Sequence, residues 1–150
     1  MIERVEKELK AAMLSGDKTK VEILKGLKNA ALYEAVGLKV KPNQLTEEQV
    51  AVVFRREAKK RQEAAELYEN AGELKRAEAE MFEKAVIDEY LPRQLQESEI
   101  QIVVDEKLSS LTEPSIKDLG RLIGAVKAKL GTQADGAVIA RLVKKALENK

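Results

Sequence analysis

The sequence contains no cysteine and no histidine. Without cysteine the chain has no disulfide, no thiolate nucleophile and no cysteine-based zinc site. Without histidine it lacks the commonest general base and the commonest metal ligand. The phosphate-binding strings GxxxxGK[ST] and GxGxxG are also absent. We therefore expect no catalytic residue, no metal site and no cofactor, and we do not expect this chain to be an enzyme on its own.

Aromatic residues and long apolar runs are also scarce. Aromatic side chains make up 3% of the chain and tryptophan is missing, so the core must be built from Leu, Val, Ile and Ala, which suits helix-on-helix packing. No apolar run is long enough to cross a bilayer. The N-terminal MIERVEKELK has no apolar segment typical of a signal peptide. We expect no membrane partner and a cytoplasmic location.

The overall charge indicates no particular partner, but the charges are unevenly distributed. The 150 residues include 27 Lys/Arg and 26 Asp/Glu, a formal net charge of +1. Residues 113–150 carry eight Lys/Arg and four Asp/Glu, a local net charge of +4, and the remainder carries −3. This asymmetry is either a weak signal for an anionic partner or a chance imbalance of solvated surfaces. At 44% hydrophobic content, global disorder is not expected.

Helical periodicity predicts four helices in residues 1–94. The first ends at Ser-Gly-Asp (15–17) and the second near Gly37. The third begins at Thr46, which has a capping-box partner in Gln49, and ends at about residue 70. The fourth starts at Glu73 and ends before Pro92, because a residue that precedes proline disfavours the α region. Short connections favour an antiparallel four-helix bundle. The predicted inward face of the fourth helix is Leu74, Ala77, Met81, Phe82, Ala85 and Val86.

A second, smaller domain of three short helices is predicted over residues 95–150, after a hinge with the sequence LPRQLQESE. Its helix boundaries are marked by side chains that cap free backbone groups. The predicted fold class is therefore all-α, a four-helix bundle followed by a three-helix tail. The boundary residues are two capping boxes, Ser98–Gln101 and Ser115–Asp118, a terminating Gly131 after Leu130, and Asp135 as the N-cap of a last helix that reaches about Leu147.

Two glycines lie inside the helix that follows Ser115. Gly120 and Gly124 each cost about 1 kcal/mol relative to alanine, and with Ala128 they form a stripe of small residues beside the inward face. Another helix could pack closely along this stripe, or a nucleic-acid backbone could lie against it, held by the surrounding cations. The start of the last helix is also an anion site in principle, although its cap, Asp135, competes for it. The candidate RNA-binding residues are Lys117, Gly120, Arg121, Gly124, Lys127, Lys129, Gly131, Asp135, Gly136, Arg141, Lys144 and Lys145.

A second group of cations lies in the third helix, between residues 55 and 61. It could contact RNA phosphates, but we favour a solvated face that neighbouring carboxylates neutralise. No aromatic residues interleave with these cations, as base stacking would require. The cations are Arg55, Arg56, Lys59, Lys60 and Arg61, and the carboxylates are Glu57, Glu63 and Glu66.

Three stretches of the sequence resemble the GatB/YqeY family, and the likeness covers nearly the full length. The most specific is the C-terminal combination of GxxxG, KxKLG and ADG. The others are RREAKKRQEAAELYENAG (55–72) and YLPRQLQESEI (90–100). Family members often carry lysines around the ADG turn, where this chain has Thr132, Gln133 and Ala137. The usual methionine before the second glycine is Ile123 here.

The resemblance implies a helical bundle with a small helical tail that binds tRNA. In the family, this module forms the C-terminus of the B subunit of glutamine-dependent aminoacyl-tRNA amidotransferase, and it is appended to some glutaminyl-tRNA synthetases. This chain resembles the free-standing type, so a carbon–nitrogen ligase activity with glutamine as amido-N-donor would describe the larger enzyme. The resemblance thus implies a non-catalytic tRNA-binding accessory protein of translation. The alternative is an interaction module that docks on a tRNA synthetase or an amidotransferase.

Overall fold

The computed structural model describes residues 1–149. This part of the chain is all-helical, with seven α-helices and three short 3-10 turns. It forms two compact units, one from Met1 to Pro92 and one from Arg93 onward. The all-α prediction is confirmed, and each unit is described separately below. No helix within the described residues is both long and apolar enough to span a membrane.

The first unit consists of two helical hairpins. In the first hairpin α1 (Ile2–Ser15) packs against α2 (Lys18–Leu38), and in the second α3 (Glu47–Asn70) packs against α4 (Leu74–Asp88). Helix α2 also contacts α3 and α4, which joins the hairpins into the predicted four-helix arrangement. Their shared core includes Val5, Leu24 and Phe54, each with no exposed surface.

The ends of these helices follow local capping chemistry. Gly16, with φ 76°, terminates α1. The predicted capping box of α3 is confirmed: the Thr46 N–H donates to Gln49 Oε1 at 2.9 Å, and the Gln49 N–H donates to Thr46 Oγ1 at 3.1 Å. Helix α2 ends at Leu38, near Gly37 as predicted, but Lys39 rather than the glycine adopts the left-handed conformation.

Tyr90 links the end of the first unit to its first helix. The tyrosine ring packs edge-on against Phe54, with centroids 6.5 Å apart, and the Arg4 guanidinium lies 4.6 Å from its centroid. The Tyr90 hydroxyl donates a hydrogen bond to the Glu8 carboxylate. Burial, and then this hydrogen bond, raise the pKa of Tyr90, and the same bond lowers the pKa of Glu8.

The predicted inward face of α4 is wrong at four of its six positions. Leu74, Met81 and Phe82 are 63%, 39% and 56% exposed, and Ala85 is exposed as well. Ala77 and Val86 are buried as predicted, together with Ile87.

The face of α4 that meets α3 is partly charged. Arg61 Nε of α3 lies 2.9 Å from Glu83 Oε2 and 3.9 Å from Glu80 Oε2. Burial raises the pKa of Glu83, and the Arg61 charge opposes that rise. Polar residues therefore take inward positions that a search for apolar periodicity assigns to solvent.

The second unit is a three-helix bundle, as predicted. Helix α5 (Glu97–Ser109), helix α6 (Leu119–Leu130) and helix α7 (Gly136–Glu148) contact one another pairwise. A 3-10 turn (Ile116–Asp118) leads into α6, and a second (Gly131–Gln133) follows it. Val104, Val126, Ile139 and Val143 form the centre of its core, with no exposed surface.

Most of the predicted caps in this unit are present. Asp118 Oδ2 accepts from the Ser115 N–H at 3.0 Å, and Gly131 ends α6 with φ 56°. The predicted box at Ser98 is wrong. Helix α5 begins one residue before Ser98, and the Gln96 N–H donates to Glu99 Oε2 at 2.8 Å instead.

Candidate nucleic-acid interface

The small-residue stripe of α6 lies open on the surface of the second unit. Gly120, Gly124 and Ala128 are all exposed. A Cβ atom built on either glycine would meet nothing within 4 Å outside the helix's own backbone. Within residues 1–149, no other element packs along the stripe, so the close-packing explanation within this chain is wrong. The backbone of α6 is left accessible on this face.

The predicted cations in and just before α6 differ in what they contact. Lys117 is exposed just before α6, and Lys127 is exposed on it. Neither forms an ion pair within the described part of the chain. Arg121, by contrast, lies 2.7 Å from Asp118 Oδ1. Lys129 reaches across to α5, where its Nζ lies 2.9 Å from Glu106 Oε2 and lowers the pKa of that carboxyl.

Gly136 has a close neighbour that the sequence did not indicate. A Cβ at this position would lie 3.0 Å from Lys127 Cε and 3.1 Å from its Nζ. The glycine therefore makes room for the Lys127 side chain to lie beside the first turn of α7. Asp135 caps that turn, since its Oδ1 accepts from the Ala137 N–H at 2.9 Å. The helix start is thus already occupied by a carboxylate, and the structure gives no support to a free anion site there.

The three cations of α7 project from its exposed side. Arg141, Lys144 and Lys145 are exposed, opposite the buried residues of the helix. Arg141 forms an ion pair with Glu97 of α5. Lys144 and Lys145 form none among the described residues. The predicted cations therefore occupy several sides of the unit, and the structure does not gather them all into one patch.

Helix α5 contributes carboxylates that the sequence argument overlooked. The local net charge of +4 applies to residues 113–150, whereas the folded unit begins at Arg93. From residue 93 to the end there are ten Lys/Arg and eight Asp/Glu, so the unit carries +2. Two carboxylates of α5, Glu97 and Glu106, pair directly with predicted RNA-binding cations. Such exposed pairs are weak and can exchange for a phosphate.

The turn between α6 and α7 is fastened to the start of the unit. The Leu95 N–H donates to the Gln133 carbonyl oxygen at 2.9 Å, and Gln94 Nε2 donates to the Thr132 carbonyl oxygen at 2.9 Å. Gln133 Nε2 in turn donates to the Arg93 carbonyl oxygen at 3.4 Å. The uncharged residues of this turn therefore hold residues 93–95, the segment that leads into α5. Gly131, one of the candidate RNA-binding residues, has a conformational role here through its positive φ.

The cations of residues 55–61 mostly face carboxylates. Arg56 Nη1 lies 3.6 Å from Glu34 Oε2, and Lys60 Nζ lies 3.2 Å from Glu57 Oε1. With Arg61 paired to α4, these contacts support the interpretation of a neutralised face. Glu57 was predicted as a partner, whereas Glu34 comes from another helix. No group of acidic side chains within residues 1–149 is arranged to hold a metal ion.

The fold and this surface define an all-α protein of two helical units, the second presenting a glycine-bearing helix with lysines beside it. The family model described as Yqey-like protein matches residues 2–147. The chain belongs to this family, and the resemblance noted in the sequence is confirmed. A comparison with curated proteins found no match.

Proposed function

We propose that this chain is a non-catalytic, cytoplasmic tRNA-binding accessory protein that binds through its second unit. The observation that carries the proposal is the open face of α6. Its Gly120 and Gly124 positions are clear of other atoms to 4 Å. Lys117 precedes this helix, and Lys127 lies on it with its ammonium group beside the first turn of α7. Neither lysine has an ion-pair partner in the described chain.

A phosphate backbone can approach such a face closely. Glycine presents no side chain, so phosphate oxygens can reach the surface of the helix while lysine ammonium groups neutralise their charge. Contacts of this kind give affinity and position without reading the base sequence. The surface is therefore suited to the shape of a folded RNA rather than to a sequence motif.

The family supports tRNA as the RNA and a role beside a larger enzyme. The resemblance to the tail of the amidotransferase B subunit favours tRNA recognition in translation. A ligase activity with glutamine as amido-N-donor would belong to a partner, because this chain has neither histidine nor cysteine to perform acyl transfer. Glutamine turnover by the purified chain would contradict the non-catalytic part of the proposal.

A fluorescence-anisotropy titration with tRNA at several salt concentrations tests the proposal. The wild-type affinity should fall as salt rises. Lys117→Gln/Lys127→Gln should lower the slope of log K against log salt by about 2, since each phosphate contact contributes about 0.9. The matched control is Lys25→Gln/Lys28→Gln, which removes two exposed lysines from α2 and should leave the slope unchanged. Absence of binding at low salt, or equal slopes for the two double variants, would refute the proposal.

The same open face favours one alternative, a module that docks on a tRNA synthetase or amidotransferase. A stripe of Gly120, Gly124 and Ala128 would let a partner helix approach closely. A pull-down from cells, repeated after nuclease treatment, separates the two functions. Capture of a synthetase or amidotransferase that survives nuclease and is lost in Gly124→Leu favours docking, whereas loss of capture on nuclease treatment favours RNA binding.

A further inference from the structure

A groove of about 400 Å³ lies between the start of α5 and the end of α7. It lies within the second unit, and its volume is in the range of small-molecule binding sites. Leu142 and Ala146 of α7 contribute its apolar lining. Leu142 belongs to the buried core of the unit and Ala146 packs against that core, so the floor of the groove is firmly supported.

The polar groups around this floor combine cations with hydrogen-bonding side chains. Arg141 and Lys145 line one side of the groove, and Ser98 and Gln101 of α5 line the other, with Asn149 at the end of α7. Gln101 donates its Nε2 to Asp105 Oδ1 at 2.8 Å, which fixes the orientation of its amide. Ser98 lies in the first turn of α5, where backbone N–H groups lack intrahelical partners.

Among the described residues that line the groove, Glu97 is the one acidic residue, and it pairs with Arg141. Both side chains are more than half exposed, so the pair contributes little stability and a phosphate can displace the carboxylate. A phosphate also accepts two parallel hydrogen bonds from a guanidinium. Lys145 forms no ion pair in the described part of the chain, which leaves a second cation for the same phosphate.

From this arrangement we infer that the α5–α7 groove binds a single unpaired nucleotide of an RNA. The phosphate lies between Arg141 and Lys145, and one face of the base covers Leu142 and Ala146. The amides of Gln101 and Asn149 are then placed to hydrogen-bond the base edge. This inference rests on the proposed RNA-binding function, and it adds a pocket for one base to the backbone contacts proposed for α6.

Chemical-shift perturbation on the full-length ¹⁵N-labelled protein tests the inference. Each of the four ribonucleoside monophosphates is titrated separately, with inorganic phosphate as the reference ligand. We expect shifts at the amides of Ser98, Gln101 and Ala146, and nucleotide affinity clearly above that of phosphate. Shifts that lie elsewhere, or equal affinity for phosphate and nucleotides, would overturn the inference.

Three variants locate the site more sharply. Lys145→Glu should weaken mononucleotide binding about tenfold or more, the effect of losing a hydrogen bond to a charged group. Ser98→Phe should abolish binding by filling the groove without changing its charge, and Ser98 is exposed, so the fold should tolerate it. Lys25→Glu makes the same charge change at an exposed residue of α2, outside the groove and outside the candidate RNA-binding residues, and mononucleotide binding should remain. Equal losses in the two lysine variants would overturn the inference.

Comparing tRNA binding with mononucleotide binding distinguishes this inference from the proposed function. Salt-dependent tRNA binding that requires Lys117 and Lys127, without nucleotide binding in the groove, refutes the groove and leaves the proposed function standing. Mononucleotide binding with no affinity for tRNA or for short single-stranded RNA identifies a free nucleotide as the ligand, and overturns RNA as its source. If the wild-type protein binds neither tRNA nor mononucleotides, both the groove inference and the proposed function are refuted.

Discussion

Alanine at Gly120 and Gly124 should stabilise the second unit and weaken tRNA binding. Gly124 lies in the interior of α6 with open space around it, so Gly124→Ala should add about 1 kcal/mol to the free energy of unfolding. Gly120 lies in the first turn, where fewer helical constraints apply, and its gain should be about 0.5 kcal/mol. Since nothing lies near either Cβ position, no steric term should offset these gains.

Hydrogen exchange measured by mass spectrometry is the suitable assay, because it reports α6 separately from the first unit. A gain of about 1 kcal/mol in the free energy of unfolding should raise the protection factors of the slowest-exchanging α6 amides about fivefold. The matched control is Gly26→Ala in α2, another exposed helical glycine with nothing within 4 Å of its Cβ position. It should stabilise the first unit similarly and leave tRNA affinity unchanged.

Three results would contradict this reasoning at different points. Lower protection in Gly124→Ala would show that the α6 face is covered in solution, contrary to the structure. The expected rise in protection with unchanged tRNA affinity would show that close approach of RNA is not why the glycines are there. A loss of affinity equal to that in Gly26→Ala would point to an indirect effect on the whole chain.

Three further changes have distinct expected outcomes. Tyr90→Phe should cost about 1–2 kcal/mol in urea denaturation, because the Glu8 carboxylate loses a hydrogen bond. The difference in unfolding free energy between the wild type and Tyr90→Phe should be largest at neutral pH. It should shrink as the pH falls below 4.5 and then through the lowered folded-state pKa of Glu8. Gly131→Ala should cost about 1–2 kcal/mol in thermal denaturation, since φ 56° strains any side chain. Arg61→Leu should cost about 1 kcal/mol at pH 7. That cost should shrink on acidification, because the raised pKa of Glu83 means that its protonated form favours the folded state.

Helix boundaries were predictable where the cap is local. At Thr46 and Asp135 a side chain bonds a backbone N–H two or three residues away, so the signal lies in a few consecutive letters. The Ser98 prediction failed because a second box with the same spacing begins at Gln96. Glu99 accepts the Gln96 N–H and also lies 2.6 Å from Arg93 Nη2, and this added ion pair supports the earlier start.

The candidate site was predictable in its residue types but not in its pairing. Arg141 and Glu97 are 44 positions apart, and Lys129 and Glu106 are 23 apart. A count of charge within one stretch cannot register carboxylates that the bundle brings in from another helix. The exposure of Gly124 could not be predicted either. Helical periodicity shows on which face of the helix a residue lies, but not whether another element covers that face.

The α3–α4 hairpin has a further consequence for how the chain finds one alignment. Ala58, Ala65 and Ala77 are buried along its length, and methyl groups tolerate sliding of one helix past the other. Arg61 does not, because a slip of one turn would carry it away from Glu83 and leave a half-buried carboxylate without its cation. The Arg61–Glu83 ion pair thus helps to set the alignment of α3 against α4, which the buried alanines alone specify weakly. An inward ion pair of this kind favours a unique structure more than a stable one.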